Sequence, residues 1–449
     1  MKKFVLLIVA GVLYAGCLLA LYTLGDLRSH LPRYFVLTTI PFIITFVVFR
    51  KWDFFSAGEP GVSGQAIRIV IFFAIAYRLA LVALAPSLSD DLYRYVWDGR
   101  LLANGYNPYR YAPADSALVP FRDELYGHIA YKNYYSIYPP LAEAGFGASA
   151  YAAKIFFHGS TAATYILWKL LLTAVETGTM ILLLRLLLRF GKPAKYLLLY
   201  AWHPLPIIEF AGQGHSDALM VFFIMAALYV LTWEKVRASA VYIGAAIASR
   251  AMPLIFLPAF ARSIKIRGII IAILLSACMF LPFFSPGIYH GILFSTSQMA
   301  QVFTFNSFGY WTVRAFFEDL RAWEWEVYIP LILGIIFISW FAVLAFRARK
   351  NGIAMLPKDM LTICTLFVLV LWNMHPWYFT WGLSLVPLVT SWGWVWLAFS
   401  ANFTYLHYTP HSDAALLTVG VIEYGGFILL LLWQRIDEKD KRTALLAKK

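Results

Sequence analysis

The feature of this sequence that most limits its fold is a long series of apolar segments, most of them long enough to cross a bilayer. They occur along nearly the whole chain, near residues 4–24, 34–49, 66–86, 163–188, 195–210, 217–232, 268–285, 327–346, 360–374, 377–391, 392–408 and 413–433. In lipid, only helices and closed barrels satisfy all backbone hydrogen bonds, and continuous apolar runs of this length are typical of helices. The sequence therefore predicts an all-α polytopic membrane protein.

Two further segments bring the expected number of transmembrane helices to about 12–14. Segment 238–261 is interrupted by Arg250 and Pro253, which predicts two short helices or one kinked helix. Segment 141–157 is moderately apolar and is expected to lie in the membrane interface or to dip in and out of the membrane. The start, Lys2-Lys3 followed by residues 4–24, is interpreted as a retained first helix because it lacks a clear cleavage site.

Composition excludes a soluble enzyme, because 61% of the 449 residues are hydrophobic and only 14% are charged. The formal charge of +13 forms no single patch, so nucleic acid is not expected as a partner. The three cysteines, Cys17, Cys278 and Cys364, lie in apolar runs without metal-type spacing.

The distribution of Lys and Arg predicts the orientation of the chain in the bilayer. With a cytoplasmic N-terminus, one side of the membrane receives Lys2, Lys3, Arg50, Lys51, Arg185, Arg189, Lys192, Lys195, Lys235, Arg237, Arg262, Lys265, Arg267, Arg347, Arg349, Lys350, Lys358 and the residues from Arg435 to Lys449. This bias is the positive-inside rule. It predicts one transmembrane domain over residues 1–434, a charged cytoplasmic tail over 435–449, and two long extracytoplasmic loops at 87–140 and 287–326.

The first long loop begins with the richest polar stretch of the chain. Asp91, Arg94 and Asp98 are spaced three and four residues apart, so they share one face of a predicted helix that Ser89 can cap, and Asp90 is adjacent. Carboxylates beside an arginine suit a site that deprotonates a hydroxyl and holds a phosphate. The alternative is that the carboxylates only complement a helix N-terminus, with Arg94 paired to them. Spacing alone does not decide between the two.

A second cluster follows at an outward turn between two apolar runs. It contains Glu209, Gln213, His215 and Asp217. Ionisable groups at the ends of spans are costly and are therefore functional candidates. Hydrogen bonding to sugar or phosphate is favoured over metal binding, because two ligands do not make a metal site. Just after the first loop, Glu143 follows a Tyr-Pro-Pro turn that is typical of structure alone.

Further candidates lie at other outward turns. Arg250, at the tip of the broken segment, suits a lipid phosphate, although an arginine there can also simply snorkel. His375 can donate to a phosphate or carry a proton, and Trp377 beside it is typical of an interfacial anchor. Weaker candidates are Asn306, Trp311, His411 and Asp413.

Several charged residues lie within predicted spans. Lys169 and Glu176 are two turns apart on one helix, and Arg78 is in another. Such residues are expected to face the bundle interior, either as structural pairs or as part of a transport route. They keep open an alternative function as a lipid-linked sugar flippase or transporter, although no internal repeat of the transporter type is present.

The polar motifs resemble those of one enzyme family. Residues 89–100 (SDDLYRYVWDGR), 107–113 (NPYRYAP), 138–141 (YPPL), 209–218 (EFAGQGHSDA) and 375–378 (HPWY) are similar to bacterial polyprenol-phosphate-dependent mannosyltransferases of the GT-C class. The similarity is to the mycobacterial-type alpha-1,6-mannosyltransferases and their DUF2029-like relatives. It extends in order over about residues 87–380, and the 89–100 string is its most specific part.

The resemblance implies a GT-C-like bundle whose first large outer loop carries an acidic catalytic motif. It implies a polyprenyl-phosphate sugar donor, a hydroxyl of a glycolipid, lipid or glycan as acceptor, and inversion at the anomeric carbon. Asp90 or Asp91 would be the general base. Their adjacency departs from the Asp-x-Asp form of some relatives, which leaves open which one acts and whether a divalent metal takes part.

The remaining expected roles follow from this resemblance. Arg94, Arg250 and His375 are expected at the donor phosphate, and Trp97, Asp98, Gln213, His215, Asp217, Trp377 and Tyr378 at the sugar or the acceptor. The enzyme is expected in a bacterial-type inner membrane, with both termini cytoplasmic and the active site outside. An O-antigen-type polymerase or ligase, also acting on lipid-linked sugar, remains a further alternative.

Overall fold

The computed structural model describes residues 2–56, 60–286, 288–302, 305–319, 328–348, 352–371, 373–410 and 413–446. Within these ranges the regular structure is helical, and one isolated bridge joins Phe305 to Asn373. The α-helices of eight or more described residues are α1 Lys2–Ala20, α2 Leu31–Arg50, α3 Pro60–Leu81, α4 Asp91–Ala103, α5 Pro140–Phe156, α6 Thr161–Arg189, α7 Asp217–Leu231, α8 Val236–Ser249, α9 Leu257–Cys278, α10 Ile288–Val302, α11 Phe308–Asp319, α12 Ile329–Ala348, α13 Leu356–Val370, α14 Phe379–Val389, α15 Trp392–Ser400, α16 Asp413–Gly420 and α17 Gly426–Leu446.

Shorter helical turns connect them. These are Leu21–Leu24, Arg28–His30, Trp52–Ser56, Ser116–Phe121, Glu124–His128, Ala194–Leu197, Leu198–Ala201, Pro204–Pro206, Ile207–Gly212, Met252–Phe256, Leu281–Phe283, Ile353–Met355, Pro376–Tyr378, Ala401–Tyr408 and Val421–Gly425.

Seven helical segments of the described chain are long and apolar enough to cross a bilayer. They are Lys3–Leu24, Arg28–Arg50, Gly64–Leu81, Thr161–Arg189, Met252–Phe283, Ile353–Val370 and Ala415–Asp437, and shorter apolar helices lie at Asp217–Leu231, Val236–Ser249 and Leu331–Leu344. The predicted class, an all-α polytopic membrane protein, is confirmed. The count of 12–14 transmembrane helices stays a prediction.

Two breaks divide the chain where the sequence has a charged residue between apolar runs. The helix α8 ends at Ser249, and Arg250 adopts an extended conformation before the chain turns into Met252–Phe256. The long run that follows is itself divided at Lys265, whose φ of 58° is not helical. The first break agrees with the predicted interruption at Arg250, and the second falls within the predicted basic loop around Arg262 and Arg267.

The apolar run near 195–210 is not one helix. It consists of four short helical turns, the last being a π-helical turn at Ile207–Gly212. Pro204 and Pro206 supply no backbone N–H, which limits regular helix at this point. Side chains from Leu198 to Val221 are buried throughout, so this segment runs through the centre of the bundle.

Neighbouring helices are joined to this central segment by hydrogen bonds that involve its backbone and its side chains. The Tyr14 hydroxyl of α1 donates to the Trp202 carbonyl at 2.8 Å, and the Trp202 indole donates to the Val70 carbonyl of α3 at 2.8 Å. Arg78 of α3 is fully buried and pairs with Glu176 of α6 at 3.1 Å. Glu176 also accepts from the Tyr200 hydroxyl at 2.7 Å. This buried network favours the structural interpretation of Arg78 and Glu176.

The first long loop packs onto the end of this bundle. Its helix α4 lies against α5 at Gly99, where an added Cβ would be 2.4 Å from the Phe146 carbonyl oxygen, so only glycine permits this approach. Farther along the loop, the Asn107 amide donates to the Phe283 carbonyl at 2.6 Å. The loop is therefore held to the end of the helical segment that follows Lys265.

Three basic residues of the predicted cytoplasmic side, Lys3, Arg50 and Lys195, lie at the end of the bundle opposite this loop. Arg28, just before α2, pairs with Asp90 of the loop. The 20 residues of α2 then extend about 30 Å to Arg50. Near that far end, Lys195 lies over the Phe49 ring and Lys3 lies over the Phe54 ring. Which of these two ends faces the cytoplasm stays a prediction.

Candidate active site

Polar side chains from four remote segments meet at the end of the bundle that carries the first long loop. They are Asp91 at the start of α4, Glu209, His215 and Asp217 from the turn before α7, Arg250 between α8 and α9, and His375 before α14. We call Asp91, Glu209, His215, Asp217 and Arg250 the polar cluster. The 87–113 loop and the 209–217 segment therefore contact each other at this end of the bundle.

Asp91 is the carboxylate of the loop that faces the polar cluster. Its Oδ2 lies 3.8 Å from His215 Nδ1 and accepts from the Tyr95 hydroxyl at 3.4 Å, while a third of the side chain stays exposed. Burial raises the pKa of Asp91 to about 6; Arg250 opposes this shift, and the charges of Asp217 and Asp90 reinforce it. A carboxylate with these properties is ionised at neutral pH and accessible to a substrate.

Asp90, although adjacent in sequence, points to the outer rim. Its carboxylate pairs with Arg28 at 2.9 Å, and its side chain is 47% exposed. Arg28 in turn lies over the Tyr408 ring at 4.9 Å. The residue before it, Ser89, accepts from the Asp91 backbone N–H at 3.2 Å, which helps begin α4. The two candidate bases therefore occupy different environments.

Asp217 and Arg250 form an ion pair inside the site. Arg250 Nη1 lies 3.3 Å from Asp217 Oδ2, and Asp217 Oδ1 accepts from the Trp381 indole at 2.7 Å. The guanidinium also lies over the Tyr378 ring, 5.5 Å from its centroid. The carboxylate is fully buried, whereas 15% of the Arg250 side chain is exposed. Asp217 thus positions the guanidinium at the surface of the cluster.

His215 lies between two carboxylates. Its Nε2 is 3.3 Å from Glu209 Oε2, its Nδ1 faces Asp91, and Glu209 also accepts from the Tyr405 hydroxyl at 2.7 Å. The turn that delivers His215 needs Gly214, which has a φ of 82° and approaches the Leu92 side chain closely. Burial, with Arg250 next, lowers the pKa of His215 well below its ordinary value, so the imidazole is neutral at pH 7.

Trp377 is sandwiched by two imidazoles. Its ring stacks on the His215 ring and on the His375 ring, with 3.8 Å and 4.5 Å between the ring centroids. The Phe305 ring also stacks on His375, with 4.7 Å between the centroids. Burial, with Arg250 next, lowers the pKa of His375 to about 3. Since both imidazoles are neutral, Arg250 supplies the positive charge inside the cluster.

Gln213 holds the beginning of the loop. Its Oε1 accepts from the backbone N–H groups of Leu88 at 2.9 Å and Ser87 at 3.2 Å. These contacts fix the entry of the chain into α4 and hence the position of Asp91. The amide oxygen that was expected to bond a sugar hydroxyl is occupied by this backbone.

Three residues predicted at the site lie in the packed layer behind it. Arg94 Nε lies 2.9 Å from both oxygens of Asp98, and Arg94 Nη1 donates to the Tyr134 carbonyl at 2.8 Å. Asp98 and Trp97 are both fully buried, and Trp97 packs against Tyr126. The structure does not bring Arg94, Trp97 or Asp98 to the polar cluster, so we leave them out of the substrate-contacting set.

The weaker candidates also lie elsewhere. Asn306 is buried with Thr404 and Glu423, and its amide donates to Glu423 at 2.7 Å. Glu143 accepts from the Ser136 hydroxyl beneath the loop. Trp311 is 44% exposed on α11. His411 lies outside the described residues, and the side chain of Asp413 is likewise not described.

Residues that the sequence did not single out complete the site. Trp381 orients Asp217, and Tyr405 orients Glu209. Both stand in apolar runs where aromatic residues are typical of interfacial anchors. A lone aromatic in such a run carries no signal for a partner 164 or 196 residues away.

The cluster does not have the donor set of a metal site. Among the described residues, no group of three or more His, Cys, Asp or Glu side chains is arranged to hold a metal ion. Instead, the Arg250 guanidinium lies against Asp217 and within electrostatic reach of Asp91. The residues present therefore do not fit a bound divalent cation, and the chemistry below uses none.

An accessible carboxylate and a guanidinium gathered at one end of a helical membrane bundle suit an enzyme that accepts a proton and binds an anionic group. A family model for the N-terminal domain of alpha-(1->6)-mannopyranosyltransferases, the MptA_B family, matches residues 5–265, more than half of the chain. The chain belongs to this family and is a hexosyltransferase, which confirms the resemblance found in the sequence motifs. A search of curated proteins gives no match.

Proposed function

We propose that the protein transfers mannose from a polyprenyl-phosphate donor to a hydroxyl of a glycolipid or glycan, at the extracytoplasmic face of a bacterial-type inner membrane. The observation that carries the proposal is the Asp91 carboxylate, partly exposed, on the same cluster as Arg250. The extracytoplasmic side is supported by the position of the cluster, at the end of the bundle opposite the basic residues. Both termini would then be cytoplasmic.

In the proposed reaction the acceptor oxygen attacks the anomeric carbon of the donor. The bond from that carbon to the phosphate oxygen breaks, and polyprenyl phosphate leaves with one additional negative charge. Asp91 takes the proton of the attacking hydroxyl. Arg250 stabilises the charge that develops on the phosphate, in surroundings that exclude most water.

The buried side of the cluster supports this step by positioning. Glu209 faces one nitrogen of His215, which leaves the other nitrogen toward Asp91. A neutral imidazole held in this way limits the rotation of the carboxylate. Trp377 and Tyr378 pack behind the cluster, where the Trp377 ring supports the His215 imidazole and the Tyr378 ring supports the Arg250 guanidinium.

A single displacement with inversion sets the stereochemistry of the donor. If the product is α-linked, as the family name states for its members, the donor must be β-linked. We expect the purified protein in detergent to release polyprenyl phosphate from β-mannosyl-phosphoprenol, and not from its α anomer or from the β-glucosyl analogue. Transfer of intact lipid across liposomes without any donor cleavage would instead support the transporter alternative.

The pKa of Asp91 predicts an acid limb in the pH profile. The base must be ionised to accept a proton, so kcat/KM should fall about tenfold per pH unit below pH 6 and level off above it. An aspartate of ordinary pKa would keep its activity down to about pH 4. Initial rates between pH 4.5 and 8 distinguish the two. Asp90→Asn, as the matched control, should keep an acid limb and move it only slightly toward lower pH, because the Asp90 charge is a small contributor to the raised pKa of Asp91.

A further inference from the structure

A cavity separate from the polar cluster lies between the first long loop and helix α10. Its volume is about 570 Å³. Aromatic walls and hydrogen-bonding groups share its lining, which includes Tyr109, Arg110, Asn133, Tyr135, His290 and Phe294. At Gly291, also in the lining, an added Cβ would lie 3.0 Å from the Tyr135 ring and 3.1 Å from the Tyr109 carbonyl oxygen. This glycine therefore lets α10 approach the loop and close one side of the cavity.

The lining suits a saccharide. A sugar ring presents an apolar face of C–H groups that packs on aromatic rings, and its rim of hydroxyls needs donors and acceptors. The guanidinium, amide and imidazole of the lining supply the polar contacts, while Tyr109, Tyr135 and Phe294 supply ring faces. The volume is within the range of about 300–1,000 Å³ that is usual for small-ligand sites. A lipid chain would bind weakly in this cavity, because burying these polar groups against hydrocarbon is unfavourable.

A row of aromatic residues leads from the cavity toward the catalytic carboxylate. Phe294, in the cavity wall, packs edge-on against Tyr134, with 6.1 Å between the ring centroids. Tyr134 in turn stacks on Tyr131, with 5.3 Å between the ring centroids. The pKa of Tyr131 is raised by burial, then by Tyr134, and then by the charges of Asp90 and Asp91. Tyr131 therefore lies within electrostatic reach of Asp91, and 38% of its surface is exposed.

The loop that carries these rings is fixed to the catalytic helix. Arg94 of α4 donates to the Tyr134 carbonyl at 2.8 Å, and the Tyr109 hydroxyl donates to the Tyr138 carbonyl. Tyr138 packs edge-on against Tyr95, whose hydroxyl contacts Asp91. We therefore infer a positioning role for the buried Arg94–Asp98 pair: it fixes the segment that carries Tyr131 and Tyr134 relative to Asp91.

We propose that this cavity is an acceptor subsite, which binds the sugar residues adjoining the one whose hydroxyl is mannosylated. The inference rests on the proposed function and extends it, since it makes an oligosaccharide the preferred acceptor. Tyr131 and Tyr134 carry the saccharide from Asp91 toward the cavity, and Tyr135, His290 and Phe294 bind its far end.

The test compares two acceptors that differ only in the number of sugars, octyl α-mannoside and octyl α-mannotetraoside. The wild type should have the higher kcat/KM with the tetraoside. Phe294→Ala and Tyr135→Ala should each reduce that preference about tenfold, mainly through KM for the tetraoside. Leu293→Ala is the matched control, because Leu293 is 64% exposed, adjoins Phe294 and is not in the lining; it should keep the wild-type preference.

Equal kcat/KM for both acceptors in the wild type, or an unchanged preference in Phe294→Ala and Tyr135→Ala, would overturn the subsite. So would a preference that follows the length of the alkyl chain, which would indicate a lipid groove. If neither acceptor is mannosylated, the proposed function fails separately. Calorimetric titration of the tetraoside into Asp91→Asn protein then decides the subsite: binding weakened about tenfold by Phe294→Ala supports it, and equal or absent binding contradicts it.

Discussion

Asp91→Asn should lower kcat for mannosyl transfer by a factor of about 10²–10⁴, the usual contribution of a general base. The asparagine keeps the shape of the side chain but cannot accept the acceptor proton. KM should change little, because the lost interaction belongs to the transition state. Release of polyprenyl phosphate by the purified variant measures the effect, and its thermal unfolding temperature verifies that the protein is folded.

Asp90→Asn is the matched control for this prediction. It is the same substitution one residue earlier, at a carboxylate that pairs with Arg28 on the exposed rim. Because exposed ion pairs contribute about 0–1 kcal/mol, the control should retain activity within a few-fold. If Asp90→Asn loses more activity than Asp91→Asn, the base assignment is reversed. Full activity in both variants would place the base elsewhere.

Much of the architecture could be predicted because its causes are local. Apolar runs marked helices, and Arg250 marked a break that the structure contains. The bias of Lys and Arg predicted that the outward turns around Asp91, His215 and His375 share one end of the bundle. That prediction depends only on how many times the chain crosses the membrane between these turns. It does not depend on how any one helix packs.

The sequence predicted less well which individual residues belong to the site, and α4 shows why. Asp91, Arg94 and Asp98 do share a helix face, as their spacing indicates. Yet Asp91 and Asp98 are seven residues apart, which is about 10 Å along a helix axis. The first turn of α4 opens on the polar cluster, whereas the second and third turns lie under the loop. A common face therefore does not imply a common site.

The short run from Pro204 to Asp217 shows a second limit. Its hydropathy predicts a span, and its polar residues predict an outward turn. Only tertiary packing shows that the segment is buried in the bundle, with Gln213 engaging the start of the loop and Glu209 engaging Tyr405. Contacts between residues more than a hundred positions apart leave no trace in local periodicity.

Removal of the Arg250 charge should be the second severe change. Arg250→Met is expected to lower kcat about 10²–10³-fold, because the leaving phosphate loses its charged donor. Arg250→Lys should recover part of the loss, since an ammonium restores the charge without the forked geometry of guanidinium. Arg100→Met, which removes an arginine paired at the surface with Asp123, is the matched control and should stay near wild-type activity.

The single variant leaves the buried Asp217 carboxylate without its partner, which is strongly destabilising in its own right. The double variant Arg250→Met with Asp217→Asn removes both charges, and the asparagine can still accept the hydrogen bond from Trp381. We expect the double variant to recover thermal stability and to remain about 10²–10³-fold slow. Stability and activity would then separate, because the first depends on pairing within the protein and the second on a charge offered to the substrate. A double variant that turns over at the wild-type rate would show that Arg250 only balances Asp217.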